Sequence, residues 1–361
     1  MPDSPVEQFA ATMGETLVSS AVVSDRRGSV AWKVVTSAGT YVVKANTESE
    51  GGHGRDKERE IEREASVLQR LSALGAIDRR YFAAAKVSPP GARWIAARWI
   101  DGTGMWPALA QARDDDTPAA RKLLASVTCS LAGALARLHA VRFAHADVQP
   151  TNIRITPDGE GRLLDYALAC GPEEHGGRLP YRGALTHITA PEVAAELLAT
   201  RDHVHVQALP PADVWALGAS LFWCWTGERP VAYLEGDRAG MLRDIAAGNR
   251  LRDLAAVRPW RFPVLENLIV SCLADDPSAR PTTAELAGAF SQSQRVEGPH
   301  PEDHPRNTPT PRVLSHPPYA TLSDAASTYA PSKSANNAPI STGGNVQDRV
   351  ASDSSELSGS P

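Results

Sequence analysis

The chain has 361 residues, 42% of them apolar, which exceeds one average domain and suffices for a sizeable core. Its 37 basic and 42 acidic residues leave a formal net charge of -5, so there is no electrostatic footprint for nucleic acid or an anionic membrane surface. The four cysteines, Cys129, Cys170, Cys224 and Cys272, form no Cys-x-x-Cys pair, which argues against a structural zinc site or a disulfide framework and for a reducing, cytoplasmic compartment.

In chain order, residues 1–15 read as a polar, flexible leader without a basic-then-apolar signal pattern. Residues 16–23, 29–35 and 40–45 are rich in β-branched side chains and separated by turn residues, so they predict the first three strands of an antiparallel sheet. After Gly51-Gly52-His53-Gly54, a charged helix is expected over 56–74, apolar at Ile61, Ala65, Leu68 and Leu71 and stopped by Gly75. A second strand pair near 83–87 and 94–100 completes a five-stranded N-terminal lobe, 16–101. The C-terminal lobe, 102–290, reads as mostly helical. Thr117-Pro118 opens a helix with Leu124, Val127, Leu131, Leu135 and Leu138 on one face, and further helices are expected at 213–226, 238–247, 264–273 and 282–290. The last begins with a Thr282 to Glu285 capping box. The longest apolar run, 214–226, is too short and too close to Asp213 to cross a bilayer, so no membrane anchor is expected. Residues 291–361 are dominated by Ser, Thr, Pro, Asn and Gly and read as a disordered tail.

The chemistry concentrates in His145-Ala146-Asp147-Val148-Gln149-Pro150-Thr151-Asn152 and in Leu163-Leu164-Asp165-Tyr166-Ala167. An Asp five residues ahead of an Asn lets one loop carry a group that orients a hydroxyl and an oxygen ligand for magnesium. An apolar strand ending at Asp165 brings a carboxylate to the same metal. In order and spacing these segments resemble the catalytic loop and magnesium motif of the eukaryotic-type protein kinases, a family that includes the bacterial Ser/Thr kinases. Ala190-Pro191-Glu192, then Asp213-Val214-Trp215-Ala216-Leu217-Gly218, then Asp276-Pro277-Ser278-Ala279-Arg280-Pro281-Thr282 extend the resemblance over residues 23–290.

The resemblance implies an α+β, bilobal fold and a reaction that uses ATP and Mg2+. It assigns Asp147, Lys44 and Glu64 to catalysis: Asp147 handles the substrate hydroxyl's proton, Lys44 contacts the α and β phosphates, and Glu64 pairs with Lys44. Glu64 is preferred over Glu58, Glu60 and Glu62 because the family's pairing Glu stands three residues ahead of an apolar pair and seven ahead of a leucine, a register that Val67-Leu68 and Leu71 match. Asn152 and Asp165 would ligate metal. Gly28, Val30, Val42, Ala97, Arg98, Trp99, Ile100 and Arg154 would surround the nucleotide, with Ala97 as gatekeeper and Arg98, Trp99 and Ile100 as hinge. His145, Tyr166, Glu192, Asp213 and Arg280 would support the frame, Glu192 and Arg280 as a buried ion pair and Asp213 by holding the catalytic loop's backbone.

Departures from the pattern are equally specific. Val23 and Asp25 stand where two glycines should lie over the phosphates, leaving only Gly28. Val42 replaces an Ala, Gln149 a lysine that contacts the transferred phosphate, and Ala167 a glycine. Ala146 replaces the arginine that would clasp a phosphorylated activation loop. Arg154 replaces an apolar side chain below the adenine, where it could stack on the purine. The expected activity is transfer of the γ-phosphoryl group to Ser or Thr hydroxyls of protein substrates, slowed by these changes, with autophosphorylation in the tail a natural outcome. A pseudokinase acting as a nucleotide-sensing or interaction module is the alternative. A small-molecule phosphotransferase of the aminoglycoside or choline kinase type is the third reading, disfavoured by the Ala-Pro-Glu and terminal Arg-Pro motifs.

Overall fold

The computed structural model describes residues 4–26, 29–46, 54–77, 86–87, 94–171, 181, 183–234 and 236–296. The fold is α+β, an antiparallel sheet in the N-terminal lobe and a helical C-terminal lobe, as expected from the sequence. Strands β1 (Leu17–Arg26), β2 (Ser29–Thr36), β3 (Gly39–Asn46), β4 (Lys86–Val87) and β5 (Trp94–Arg98) form one sheet in the order β1-β2-β3-β5-β4. Three short strands, β6 (Thr103–Gly104), β7 (Ile153–Ile155) and β8 (Gly161–Leu163), form a second sheet at the start of the helical lobe.

The N-terminal segment corrects the first expectation. Instead of a flexible leader, residues 5–13 form helix α1 (Pro5–Met13), opened by a capping box in which Ser4 Oγ accepts from the Glu7 amide and the Glu7 carboxylate accepts from the Ser4 amide. Its apolar residues recur at Val6, Phe9 and Ala10, and all three are buried. They pack with Val34, Tyr41, Val43, Ala45, Trp94 and Ala96 on one face of the sheet.

The opposite face carries the chemistry. Residues directly paired across antiparallel strands share a face, and Ala31, Lys33, Val42, Lys44, Ile95 and Ala97 belong together by the pairs Ala31↔Lys44, Lys33↔Val42, Lys44↔Ile95 and Val42↔Ala97. Helix α2 (Gly54–Ala73) covers part of this face, with Ile61, Ala65, Leu68 and Leu71 buried as the periodicity predicts.

In the helical lobe the central elements are α3 (Pro118–Ala140), α4 (Pro191–Ala199), α5 (Pro210–Thr226), α6 (Arg238–Ala246), α7 (Pro263–Cys272) and α8 (Thr283–Val296). The Thr282 to Glu285 capping box is present, and α8 runs six residues past the predicted end at Phe290. Of the expected disordered tail, 291–361, residues 291–296 instead continue helix α8, and residues 297–361 lie outside the described residues. Among the described residues, one helix, α3, is long and apolar enough to cross a membrane. Leu124, Val127, Leu131, Leu135 and Leu138 on it are fully buried in the protein's own core, which is the face a core helix needs.

Candidate active site

Lys44 lies at the middle of the site. Its Nζ is 2.7 Å from Glu64 Oε2 and 3.3 Å from Asp165 Oδ1. Burial alone would lower the lysine's pKa, but the two carboxylates outweigh it and hold the ammonium well above its usual range. The pleat of β3 produces this placement. Tyr41, Val43 and Ala45 go into the core with α1, so Val42 and Lys44 face the other way, toward α2.

Asp147 and Asn152 meet on the loop between α3 and β7. Asp147 Oδ2 accepts from Asn152 Nδ2 at 2.6 Å, and Oδ1 accepts from Gln149 Nε2 at 2.7 Å. Burial first, and the nearby Asp165 charge second, push the Asp147 carboxyl up to about 7. Asp165 adopts a left-handed backbone at φ 58°, and its Oδ1 also accepts from the Ala167 amide at 3.2 Å. A non-glycine residue held there marks a site fixed by its surroundings. Burial works against its ionised form, but Lys44 prevails and lowers its pKa.

The loop is anchored from below. Asp213, 1% exposed, accepts from the His145 amide at 2.7 Å and the Ala146 amide at 2.8 Å. Ala146 itself sits at φ 62°. His145 is fully buried, its ring 4.8 Å from that of Tyr166, with Nδ1 3.3 Å from the Asp147 amide nitrogen. Glu192 and Arg280 form a two-pronged pair at 2.8 and 2.7 Å.

Several candidates for the nucleotide pocket stand elsewhere than expected. Val30 is cross-paired with Ala45, so it lies on the α1 side of the sheet, and Ala31 is the residue opposite Lys44. The register follows from the tight β2–β3 connection, Thr36↔Gly39, whereas counting forward from Gly28 runs through the turn where the chain departs most from the pattern. Gly28 lies outside the described residues. Arg98 points away from the cleft, over the Tyr41 ring at 5.7 Å, and the Trp99 amide is already bonded to the Thr40 carbonyl at 3.0 Å. Ile100 is half-buried next to them. Ala97, 7% exposed, does lie opposite Val42 on the cleft side.

Arg154, expected beside the nucleotide, has its guanidinium engaged by the protein. It donates to the Gly102 carbonyl at 2.8 Å and lies 5.4 Å from the Trp99 ring, while Lys33 Nζ is 4.7 Å from the same ring. A cation from each lobe thus meets one indole. His139 was missed in the sequence reading: its Nε2 is 3.0 Å from Asp213 Oδ2, and its Nδ1 is 3.0 Å from Thr283 Oγ1, tying α3 and α8 to the residue that anchors the loop.

Comparison with known proteins agrees with this geometry. The family model described as the protein kinase domain matches residues 24–289. The chain is 30% identical over 168 residues to mitogen-activated protein kinase kinase 3 of Arabidopsis thaliana, an alignment covering 45% of this chain and 29% of that protein. It is 32% identical over 169 residues to serine/threonine-protein kinase PknK of Mycobacterium tuberculosis, covering 45% of this chain and 14% of that one. With serine/threonine-protein kinase 16 of Mus musculus it shares 23% identity over 260 residues, 70% of this chain and 81% of the mouse protein. The chain therefore spans under a third of the length of the first two relatives. On the strength of the family match, the ion pair beneath the sheet and the anchored loop, this chain belongs to the protein kinase domain family.

Proposed function

We propose that the protein transfers the γ-phosphoryl group of MgATP to Ser or Thr hydroxyls of protein substrates. The observation that carries the reading is Lys44 Nζ held between Glu64 and Asp165. An ammonium kept charged and oriented in this way suits the binding of phosphate oxygens. The names of the mycobacterial and mouse relatives favour Ser and Thr as acceptors.

The donor set fits a magnesium nucleotide. Asn152 uses Nδ2 on Asp147, which leaves its amide oxygen as a ligand, and Asp165 supplies a carboxylate. Among the described residues, no group of three or more His, Cys, Asp and Glu side chains makes a self-contained cage. Magnesium is commonly held by one or two protein ligands together with substrate phosphates. When bound, MgATP supplies the phosphoryl group and the divalent charge that offsets its oxygens. Asp147 then orients the acceptor hydroxyl and takes its proton, and Gln149 and Asn152 fix both of its oxygens in place. Gln149 therefore has a role that its reading as a lost positive charge did not foresee.

The test is incubation with labelled ATP and magnesium beside Asp147→Ala, scoring autophosphorylation, including that of the Ser/Thr-rich tail, and nucleotide-induced thermal stabilisation. Transfer is expected to fall about a hundredfold or more in the variant, with nucleotide stabilisation retained. Its rate in the parent protein should rise with pH and level off as Asp147 ionises, from about 7 downward in midpoint once the metal offsets the Asp165 charge. Equal labelling of parent and variant overturns the reading.

One observation favours a pseudokinase module instead. Strands β1 and β2 stay paired to Arg26↔Ser29, with Asp25 and Val23 exposed along β1 where two glycines of the family's loop would lie over the phosphates. Nucleotide stabilisation without transfer supports that reading.

A further inference from the structure

Arg63 precedes Glu64 on α2, and its guanidinium reaches the segment just beyond Asp165. Nη1 donates to the Ala167 carbonyl at 2.7 Å, and Nη2 donates to the Ala169 carbonyl at 3.2 Å and faces that of Leu168 at 3.5 Å. The planar, fixed fork of a guanidinium suits such a row of acceptors, whereas an ammonium offers a single point of charge. One turn of α2 is thereby tied to both sides of the site, Glu64 to Lys44 and Arg63 to the backbone after Asp165.

The segment that Arg63 grips has an unusual composition. Between Asp165 and Glu192 the hydroxyl-bearing residues are Tyr166, Tyr181, Thr186 and Thr189. Their exposures are 5%, 6%, 7% and 7%, so none of them offers an open hydroxyl for modification. Tyr181 donates its hydroxyl to the Ala146 carbonyl at 3.1 Å, and Thr189 donates to the Leu185 carbonyl at 3.3 Å. Ala146, whose carbonyl accepts from Tyr181, contributes only a methyl group and no cation beside the segment. The segment is nevertheless pinned at its beginning, where Ala144 and Cys170 exchange backbone hydrogen bonds at 2.9 Å each way.

We propose that Arg63 is a positioning residue that holds the segment after Asp165 against α2, so that Lys44, Glu64 and Asp165 stay assembled without any phosphate on residues 165–192. The held conformation is then built into the chain and is not added by a modifying enzyme. Only the kinetic arm of the test rests on the phosphoryl-transfer reading; the structural arm is independent of it.

The experiment compares the full chain with Arg63→Ala and Arg63→Lys. Amide hydrogen exchange over residues 165–171 in nucleotide-free protein should be about tenfold faster or more in Arg63→Ala, with Arg63→Lys in between, because charge-assisted bonds to the segment are removed or reduced. In the kinetic arm, kcat should fall about tenfold while KM for ATP stays within about threefold, a split that general destabilisation does not produce. Phosphatase treatment of the parent protein should leave its transfer rate within about twofold. Exchange that is unchanged in both variants overturns the clamp. Loss of activity on phosphatase treatment, with the phosphate mapped to residues 165–192, overturns phosphate independence. A parent protein that transfers nothing removes the phosphoryl-transfer reading and leaves exchange to decide the clamp; if Arg63→Ala does not fold, Arg63→Lys carries the same comparison.

Discussion

Replacing Arg280 with alanine is expected to destabilise the helical lobe by about 3–5 kcal/mol, the range for breaking a buried charge pair from one side. The arginine side chain is fully buried and uses its whole donor set. Nε donates to the Ala274 carbonyl at 2.8 Å, Nη1 to Glu192 Oε1 at 2.8 Å and the Pro211 carbonyl at 2.9 Å, and Nη2 to Glu192 Oε2 at 2.7 Å and the Asp275 carbonyl at 3.2 Å. Three separate stretches of chain therefore converge on one guanidinium: the start of α4, the start of α5, and residues 274 and 275 after α7. Truncation leaves the Glu192 carboxylate and three carbonyls to find new partners. Glu192 is one-third exposed, so water relieves part of its loss, and most of the expected effect comes from the carbonyls and the vacated volume beside Trp215. Arg280→Lys restores the charge without the fork and should recover less than half of the deficit. Urea unfolding followed by tryptophan fluorescence measures both. A loss below about 1 kcal/mol for Arg280→Ala would show that the converging bonds contribute little, since surface substitutions alone give changes of that size.

Some kinds of sequence signal carry through to three dimensions more directly than others. The family's register, a Glu three residues ahead of an apolar pair and seven ahead of a leucine, singled out Glu64 on α2, and the helix's stripe of four buried apolar residues turns that side chain toward Lys44. The joint occurrence of Glu192 and Arg280 likewise anticipated their pairing. Strand register was less legible. The face on which a strand residue lies depends on parity, and by the β2–β3 register it is Ala31, not the expected Val30, that shares a face with Lys44. Two register shifts within the β1–β2 pair, between Leu17 and Ser19 and between Val22 and Ser24, make such counting unsafe in this hairpin. Long polar side chains were the hardest to place. Arg154, Gln149 and Arg63 each bond to protein groups far away in sequence or newly exposed by the local turn, and nothing in residue spacing specifies those partners. Helix α1 is a different case, since its signal was present. Ser4-Pro5-Val6-Glu7 is a capping box with proline at the first helical position, and Val6, Phe9 and Ala10 form a short apolar stripe.

That stripe leads to the second large effect. Phe9→Ala is expected to destabilise the N-terminal lobe by about 3–5 kcal/mol, as for other fully buried phenylalanines. Phe9 has no exposed surface and meets Tyr41 and Trp94 edge to face, with ring centroids at 5.0 and 5.7 Å. Glu15, just beyond the helix, accepts from the hydroxyls of Thr36 and Tyr41, so α1 is also fastened to the β2–β3 hairpin by polar contacts. The same hairpin carries Lys44 on its other face, and Val43 between them is fully buried against the helix side. Loss of packing under β3 should therefore reach the site through the strand itself, weakening nucleotide-induced stabilisation even though no residue of α1 touches the cleft face. A chain lacking residues 1–14 should behave like Phe9→Ala or worse, because Tyr41, Trp94 and Val34 would all lose their cover. For a lobe and domain of this size each kcal/mol moves the melting temperature by about 2–4 °C, so the substitution should lower it by roughly 6–20 °C. A flexible leader predicts no shift at all for either change, and thermal unfolding monitored by circular dichroism separates the two outcomes without reference to any enzymatic activity.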